Sequence, residues 1–250
     1  MLDRSDLNKF GPPGFNLGQK EKDYAQHWIL SFLSRSGFSG VFKGGTCLQK
    51  AFALPRYSED LDFTLNESAL PDFDSLAAFL SSAGFAGISV KTKTTGVSAA
   101  AKLRFRGPLY NGTGVSEGTV SMDFSLREKT LLKPDAISIN PPYPDLLPYQ
   151  TLVMNAKEIS AEKVRAILTR ESARDLFDLY FLLKKNAFPE MAVVQAKLDV
   201  YGKKFGFNEF EGRIKAIQKI WKQEMAVLTP NFLEYELVSK EVLKQAKGWK

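Results

Sequence analysis

Two aspartates, Asp60 and Asp62, lie two residues apart in a segment where polar and apolar residues alternate. In an extended chain, side chains two apart leave the same face, so both carboxylates point outward while Leu61 and Phe63 point toward the core. Adjacent negative charges repel, and a divalent cation offsets that cost. Carboxylates suit Mg²⁺ or Mn²⁺, which commonly bind with substrate phosphates. The pair predicts a metal site for a triphosphate; the alternative is two solvated charges at a sheet edge.

A glycine turn precedes the aspartates, because Gly44, Gly45 and Thr46 separate a short apolar run from a helical pattern. Glycines between a strand and a helix let backbone N–H groups approach a phosphate, and the helix N-terminus favours negative charge. The alternative is that the turn only ends a strand. Combined with the paired aspartates, however, the turn predicts a nucleoside triphosphate site. The residues predicted to bind the nucleotide in this segment are Lys43, Gly44, Gly45, Thr46 and Ser58.

A third carboxylate, Asp123, lies on the polar side of the alternating segment 119–126. Aspartate is a poor strand former, which favours a functional reason for its position. We expect Asp123 to be a third metal ligand and the base that accepts the proton of the acceptor hydroxyl. The preceding strand places Lys102, Arg104 and Arg106 on one face, which suits phosphates. The alternative is an ordinary half-solvated antiparallel sheet.

The order of elements predicts an α/β (α+β) protein with a helical C-terminal half. Before residue 127, helical patterns (19–34, 46–54 and 72–82) mix with strand patterns (40–43, 60–65, 89–95, 100–106 and 119–126). Prolines from Pro134 to Pro148 disfavour a long helix, so we place a domain joint there, between a core domain of residues 1–147 and a second domain of residues 148–250. The second domain has five helical patterns: 156–169, 172–185, 189–201, 208–225 and 232–248.

Composition excludes several classes of chemistry. With one histidine, His27, and one cysteine, Cys47, the 250-residue chain cannot form a zinc finger, a multi-histidine metal centre, a disulfide framework or a CxxC redox pair. We expect His27 to be structural, because the sequence indicates no partner that would orient it for catalysis.

The net charge of +6 favours a polyanionic partner only weakly. Residues 1–16 lack the apolar core of a signal peptide and no apolar run reaches membrane-spanning length, so we expect a cytoplasmic protein, which agrees with the single cysteine. We also expect a monomer.

The segment 41–65 resembles the first motif of the AbiEii/AbiGii family of nucleotidyltransferase toxins, a branch of the DNA polymerase β-like nucleotidyltransferase superfamily. Glu162 with Lys163, then Arg170, and then the block 174–179 resemble the later helical motifs of that family. The resemblance implies a polymerase β-like core with a mixed sheet, followed by a helical C-terminal domain. It also implies a toxin whose antitoxin is encoded in an adjacent gene, and transfer of nucleotides, in some members to the acceptor end of tRNA.

The later motifs supply cations for the predicted triphosphate. Lys163, Arg170 and Arg174 recur on or near one helical face, and we expect them, together with Asp175, to complete the nucleotide site. We expect Lys163 to act as a catalytic residue, aimed from the first C-terminal helix at the glycine turn. The structural alternative for Asp175 is a capping box with Ser172 at the start of a helix.

Two further structural alternatives concern ion pairs. Arg174 and Asp178 have the spacing of a pair within one helix. In the alternative for Lys163, the ammonium is a solvated partner of Glu162 or Glu158, and its removal changes the free energy of unfolding by less than ~0.5 kcal/mol.

Three functions are consistent with these residues. The first is a nucleotidyltransferase that moves a nucleoside monophosphate from an NTP to an RNA end, in particular tRNA. The second has the same chemistry with a protein or small molecule as acceptor, and the third is a non-catalytic module that binds a nucleotide or RNA. We favour the first because Asp60 and Asp62 are both present. The favoured enzyme is the toxin of a toxin–antitoxin or phage-defence system, with Mg²⁺ or Mn²⁺ as cofactor and an NTP, RNA and a cognate antitoxin as partners.

Overall fold

The computed structural model describes residues 1–67 and 69–249, so residue 250, the end of the predicted second domain, lies outside the described residues. The chain forms two compact units that are interleaved in sequence. Unit 1 comprises Met1–Ala53, Tyr57–Lys129 and Pro134–Val153, and unit 2 comprises Leu54–Arg56, Thr130–Lys133 and Met154–Lys250. Two short segments that precede residue 147 thus belong to the helical unit.

Unit 1 contains a mixed sheet. Its strands are β1 Val41–Lys43, β2 Leu61–Thr64, β3 Ala86–Thr94, β4 Ser98–Arg106, β5 Gly118–Ser125, β6 Asp135–Ile139 and β7 Tyr149–Val153. They are ordered β3-β4-β5-β2-β1-β7-β6 across the sheet. The helices of this unit are α1 Arg4–Phe10, α2 Leu17–Arg35, α3 Gly44–Phe52 and α4 Phe73–Ser82.

The predicted α/β class is confirmed, and the predicted elements of the first half occur with their ends displaced by at most three residues. The sequence did not predict α1, β6 or β7. The segment between Pro134 and Pro148, in which the sequence predicts a domain joint, holds β6 and leads into β7. The prolines of this segment precede or connect the two strands, which are positions where the missing N–H is tolerated.

Aromatic side chains fix the register at the centre of the sheet. Phe63 of β2 and Phe124 of β5 are buried and stacked, with ring centroids 5.5 Å apart, and Phe42 of β1 lies 5.3 Å from Phe63. Because side chains alternate along a strand, burial of these rings on one face turns the preceding residues, Asp62 and Asp123, to the other face. A slip of one residue would reverse the faces, so the aromatic stack keeps both carboxylates outward.

A buried polar network joins α2 to α3, the helix that follows the glycine turn. Asp23 of α2 accepts hydrogen bonds from Lys50 Nζ at 2.8 Å, Gln49 Nε2 at 2.9 Å and the Tyr143 hydroxyl at 2.8 Å. His27, one turn along α2, is also buried, and burial lowers its pKa to about 3. Its imidazole is therefore neutral and packed, in agreement with the structural role that the sequence predicts.

Unit 2 is helical. Its helices are α5 Ala156–Thr169, α6 Ala173–Lys184, α7 Met191–Asp199, α8 Phe207–Leu228 and α9 Tyr235–Ala246. All five predicted C-terminal helices are confirmed, with α5 matching at both ends. In the described part of the chain, no helix combines the length and the apolar composition needed to cross a membrane.

Candidate active site

Three of the predicted site residues form one row across the sheet. β1 pairs antiparallel with β2, which places Lys43 opposite Asp62, and β2 pairs parallel with β5, which places Asp62 opposite Asp123. Neighbouring strands lie about 4.8 Å apart, so these residues are direct neighbours on the outward face. Asp60 lies one residue before the start of β2. The strand register therefore brings the predicted third carboxylate beside the predicted pair.

Asp123 has an altered proton affinity. Its pKa is raised, first because partial burial disfavours the charged carboxylate and second because the negative charge of Asp60 repels it. Asp60 thus lies within electrostatic reach of Asp123, as expected for carboxylates of one site. A carboxylate with a raised pKa binds a proton more readily, which suits a general base.

The glycine turn lies directly against Asp62. Gly44, the first residue of α3, has a φ of +77°, a conformation that favours glycine. A Cβ atom at this position would lie 2.2 Å from Oδ2 of Asp62, so any side chain here would displace the carboxylate. On the other side of the turn, Lys43 Nζ lies 3.4 Å from Oε2 of the buried Glu128. The turn therefore positions an acidic and a basic side chain at the start of α3.

Hydrogen bonds to main-chain carbonyls hold the segment that leads into β2. The amide of Gln26, on α2, donates to the carbonyls of Ser58 and Glu59 at 3.1 and 2.7 Å. The buried hydroxyl of Thr46, on α3, donates to the carbonyl of Asp60 at 2.5 Å. Thr46 and Ser58 thus help to position Asp60, and their predicted contacts with the nucleotide stay predictions. Sequence analysis missed Gln26, because nothing in the α2 pattern distinguishes it from a solvated glutamine.

The close approach of Gly44 to Asp62 gives a first testable prediction. We expect Gly44→Ala to lower the transfer rate at least about a hundredfold, because displacement of a catalytic group by about 1 Å has effects of that size. The measurement is turnover together with thermal unfolding, since the positive φ also strains alanine. Gly212→Ala is the matched control, because nothing lies within 4 Å of a Cβ at Gly212 on α8. Normal turnover in a folded Gly44→Ala protein would contradict this account of the turn.

The donor set of this row fits a hard divalent cation. Within residues 1–67 and 69–249, no three His, Cys, Asp or Glu side chains are arranged as a ready-made metal cage. Mg²⁺ seldom uses such a cage, and it usually binds one or two carboxylates together with waters and phosphate oxygens. Asp62 and Asp123 lie opposite each other on β2 and β5, and these carboxylates, with Asp60 just before β2, are of the type that suits such a cation.

In unit 2, Lys163 belongs to a buried cluster of ion pairs. Its Nζ lies 3.0 Å from Oδ1 of Asp175 and 2.7 Å from Oδ2 of Asp178. Arg170 Nε lies 2.7 Å from Asp175, and Arg56 contacts Asp178 through Nε at 2.6 Å and Nη2 at 2.7 Å. Three cations therefore surround two carboxylates.

This cluster corrects the structural alternatives for α6. Asp178 pairs with Arg56 and Lys163 rather than with Arg174, which is exposed. Ser172 is the N-cap residue of α6 but makes no side-chain capping bond, and its hydroxyl contacts Glu224 instead. Both the pair between Arg174 and Asp178 and the capping box were therefore wrong.

The solvated alternative for Lys163 was also wrong, because the side chain of Lys163 is only 9% exposed. The two glutamates proposed as its partners, Glu158 and Glu162, contact Lys197 Nζ at 2.7 and 3.2 Å. Glu158 also accepts hydrogen bonds from the main-chain amides of Leu131 and Leu132. The sequence spacing did not indicate these contacts, since the groups that contact the two glutamates lie in other segments of the chain.

Comparison with known proteins gives a consistent result. The model of a family described as "Nucleotidyl transferase AbiEii toxin, Type IV TA system" matches residues 32–244. Among solved structures, the chain is similar to MenT4, a nucleotidyltransferase toxin of Mycobacterium tuberculosis H37Rv, with a TM-score of 0.69 and 22% identity over 100% of this chain and 91% of that one. A comparison with curated proteins found no match.

Two structures from Helicobacter pylori are also similar. A candidate nucleotidyltransferase has a TM-score of 0.63 and 20% identity, covering 98% of this chain and 95% of that one. JHP933 has a TM-score of 0.57 and 21% identity, covering 99% of this chain and 92% of that one. At these identities the structural matches establish a shared fold, while the family match covers most of the chain.

Proposed function

The chain belongs to the AbiEii family of nucleotidyltransferase toxins of type IV toxin–antitoxin systems, and we propose that it transfers a nucleoside monophosphate from an NTP to an RNA end, in particular the 3′ end of tRNA. The observation that carries the proposal is the row in which Asp62 lies beside Asp123, with Gly44 against Asp62. RNA is the proposed acceptor because these carboxylates share their sheet face with one exposed lysine and two exposed arginines of β4. The family implies a cognate antitoxin, which we expect to be encoded nearby.

In this proposal, the residues of unit 1 bind and orient the substrates. Asp60, Asp62 and Asp123 would hold Mg²⁺ or Mn²⁺, which when bound supplies positive charge for the triphosphate oxygens. The main-chain N–H groups at Gly44 and Gly45 would face the phosphates at the start of α3. The ammonium of Lys43 would contribute a further positive charge beside them. Each of these contacts is realised only if the NTP lies over the glycine turn.

The transfer itself forms one bond and breaks one bond. The oxygen of the acceptor hydroxyl bonds to the α-phosphorus of the NTP, the bond from that phosphorus to the oxygen bridging to the β-phosphate breaks, and pyrophosphate leaves. A carboxylate oxygen of Asp123 accepts the proton of the hydroxyl, for which its raised pKa is suitable. Asp123 would therefore be both a metal ligand and the general base.

This role of Asp123 predicts a pH dependence. A base must be deprotonated to act, so we expect the transfer rate to fall as the pH decreases and Asp123 becomes protonated. Asp123→Asn should lower turnover by about 10² to 10⁴-fold, should lower NTP affinity less, and should remove this acidic limb. The measurement is the pH–rate profile of both proteins. The same acidic limb in Asp123→Asn would contradict the assignment.

The predicted contacts of unit 2 with the nucleotide stay proposals. Lys163 is held by Asp175 and Asp178, in a cluster that also contains Arg56 and Arg170. Arg170 is half exposed although it pairs with Asp175, and Arg174 is exposed. We propose that these cations and Asp175 contribute to the nucleotide site.

The acceptor is tested by labelling. Purified protein is incubated with Mg²⁺, with each NTP labelled at its α-phosphate, and with either total cellular RNA or total cellular protein. We expect label on RNA, and we expect periodate oxidation of the RNA 3′ ends to prevent it. Label on protein alone would favour the second class of acceptor, and label on neither would contradict the proposed RNA substrate.

A further inference from the structure

Exposed cations cover the outward face of β3 and β4. In β4 they alternate with buried residues, as in Lys102, Leu103 and Arg104. The residues of this cationic face are Lys91, Lys93, Lys102, Arg104 and Arg106. All of them project from two paired strands whose register shifts only between Ala86 and Ser89. Lys91, Lys93, Lys102 and Arg104 therefore form one continuous surface, and Arg106 extends it beyond the shift.

The cationic face continues the row of carboxylates. Asp123 of β5 lies opposite Ala100 of β4, and Ala100 lies opposite Lys93 of β3. Lys93 is therefore two strands, or about 10 Å, from Asp123 on the same face. Along β4, Lys102 is the next outward-facing residue after Ala100. Arg104 and Arg106 follow it on the same face at intervals of about 7 Å. The surface thus begins beside the site and extends away from it.

The three lysines are not explained by pairing within the fold. Arg104 and Arg106 both contact Glu117, at 3.5 and 3.1 Å. Among the described residues, no carboxylate lies within ion-pair distance of a lysine of the cationic face. Lys91 moreover lies directly opposite Lys102, an arrangement of like charges that destabilises a sheet.

Protection of a sheet edge explains only part of this surface. Lysines on an edge strand prevent pairing with other chains, and β3 is an edge strand. β4, however, is paired on both sides, so edge protection does not account for Lys102. An anionic ligand accounts for the lysines of both strands, because it offsets the repulsion between them.

We propose that the cationic face binds the phosphate backbone of the acceptor strand next to its reacting end, while the NTP lies at the glycine turn. The inference rests on the proposed function, because it takes RNA as the acceptor. Contacts with phosphates position a strand without reading its sequence, so this surface would orient the RNA end toward Asp123 rather than select a sequence. The cations of unit 1 then have separate tasks: Lys43 acts on the NTP, and Lys91, Lys93 and Lys102 act on the acceptor.

The test is a triple variant that removes three positive charges, Lys91→Gln with Lys93→Gln and Lys102→Gln. Binding of a short fluorescein-labelled single-stranded RNA is measured at several salt concentrations. For single-stranded RNA, each phosphate contact adds about 0.7 to the steepness with which the logarithm of the binding constant falls with the logarithm of the salt concentration. Loss of three contacts should therefore reduce this slope by about 2. We expect RNA affinity to fall at least about tenfold at low salt. For the NTP that labels RNA best, the KM of the triple variant should stay within about twofold of the wild-type KM, since the NTP binds at the glycine turn.

The matched control removes the same charge from α8 and α9, by Lys219→Gln with Lys222→Gln and Lys240→Gln, all exposed in unit 2. We expect the control to keep the wild-type salt slope. An equal loss of RNA affinity in the control, or a wild-type affinity and slope in the β3–β4 variant, would overturn the inference. If the triple variant does not fold, Lys102→Gln alone should reduce the slope by about 0.7, and an unchanged slope would likewise overturn it.

Failure of the proposed function has a different signature. In that case the wild-type protein labels no RNA, whatever the charge of β3 and β4. If the wild-type protein labels RNA and the triple variant binds RNA normally, only the assignment of the cationic face fails.

Discussion

Alanine at Asp60 or Asp62 is expected to lower nucleotide transfer at least about a thousandfold while the protein stays folded, because both carboxylates are assigned to the cation that neutralises the triphosphate. Asp62 lies in the row with Asp123, and Asp60 raises the pKa of Asp123, so all three charges repel one another in the apo protein. Removal of Asp60 relieves part of this repulsion and should therefore not destabilise unit 1. The measurements are label incorporation into RNA and the temperature of thermal unfolding.

Asp74→Ala is the matched control for this prediction. Asp74 is an exposed aspartate of α4 in the same unit, so its removal changes the net charge equally without touching the row. We expect normal transfer in this variant. Near-normal transfer in a folded double variant of Asp60 and Asp62 would refute the assignment of the site.

Asp178→Ala is expected to lower the free energy of unfolding by about 3–5 kcal/mol, the usual effect of breaking a buried ion pair. Asp178 is fully buried, and its two oxygens contact Arg56 and Lys163 at 2.6 to 2.7 Å. In Asp178→Ala, Arg56 and Lys163 lose a carboxylate that both of them contact. Because the site is buried, water does not take the place of that carboxylate. Urea unfolding measures the effect, and Arg174→Ala, an exposed change in the same helix, should shift stability by less than about 0.5 kcal/mol.

The acid stability of the protein provides a second readout for Asp178. Burial alone would raise the pKa of Asp178, but the charges of Arg56 and Lys163 lower it below its usual value. A lowered pKa in the folded state contributes stability above the unfolded pKa of about 3.9, and this contribution is lost as the pH falls through the folded pKa. We therefore expect the wild-type protein to lose more stability than Asp178→Ala on acidification. Equal losses in both proteins would contradict the buried-pair account.

Periodicity was sufficient to predict which face each site residue of the sheet occupies. Phe63 and Phe124 are apolar and alternate with Asp62 and Asp123, so burial of the rings turns the carboxylates outward. Which strands become neighbours could not be predicted in this way, because the parallel pairing of β2 with β5 joins distant segments. The raised pKa of Asp123 follows from its partial burial and from the charge of Asp60, and neither is visible in the periodicity of the sequence.

The buried cluster of unit 2 marks the limit of local patterns more clearly. The spacing of Arg174 and Asp178 predicted a pair within one helix, but Asp178 pairs with Arg56, which lies 122 residues away. A spacing rule considers only residues on the same helix, whereas a buried carboxylate takes whichever cation the fold brings to it. For the same reason, β6 and β7 were missed: the prolines around them indicated a joint, and only the neighbouring strands make those segments part of a sheet.

The central claim is that this family member moves a nucleoside monophosphate with the carboxylates of β2 and β5. The most direct test compares NTPs labelled at the α-phosphate with NTPs labelled at the γ-phosphate, using total RNA as acceptor and both the wild-type protein and the double variant of Asp60 and Asp62. The account predicts that wild-type protein attaches the α-label to RNA and releases the γ-label in pyrophosphate, and that the variant does neither. Attachment of the γ-label to RNA, or attachment of the α-label by the folded variant, would contradict it.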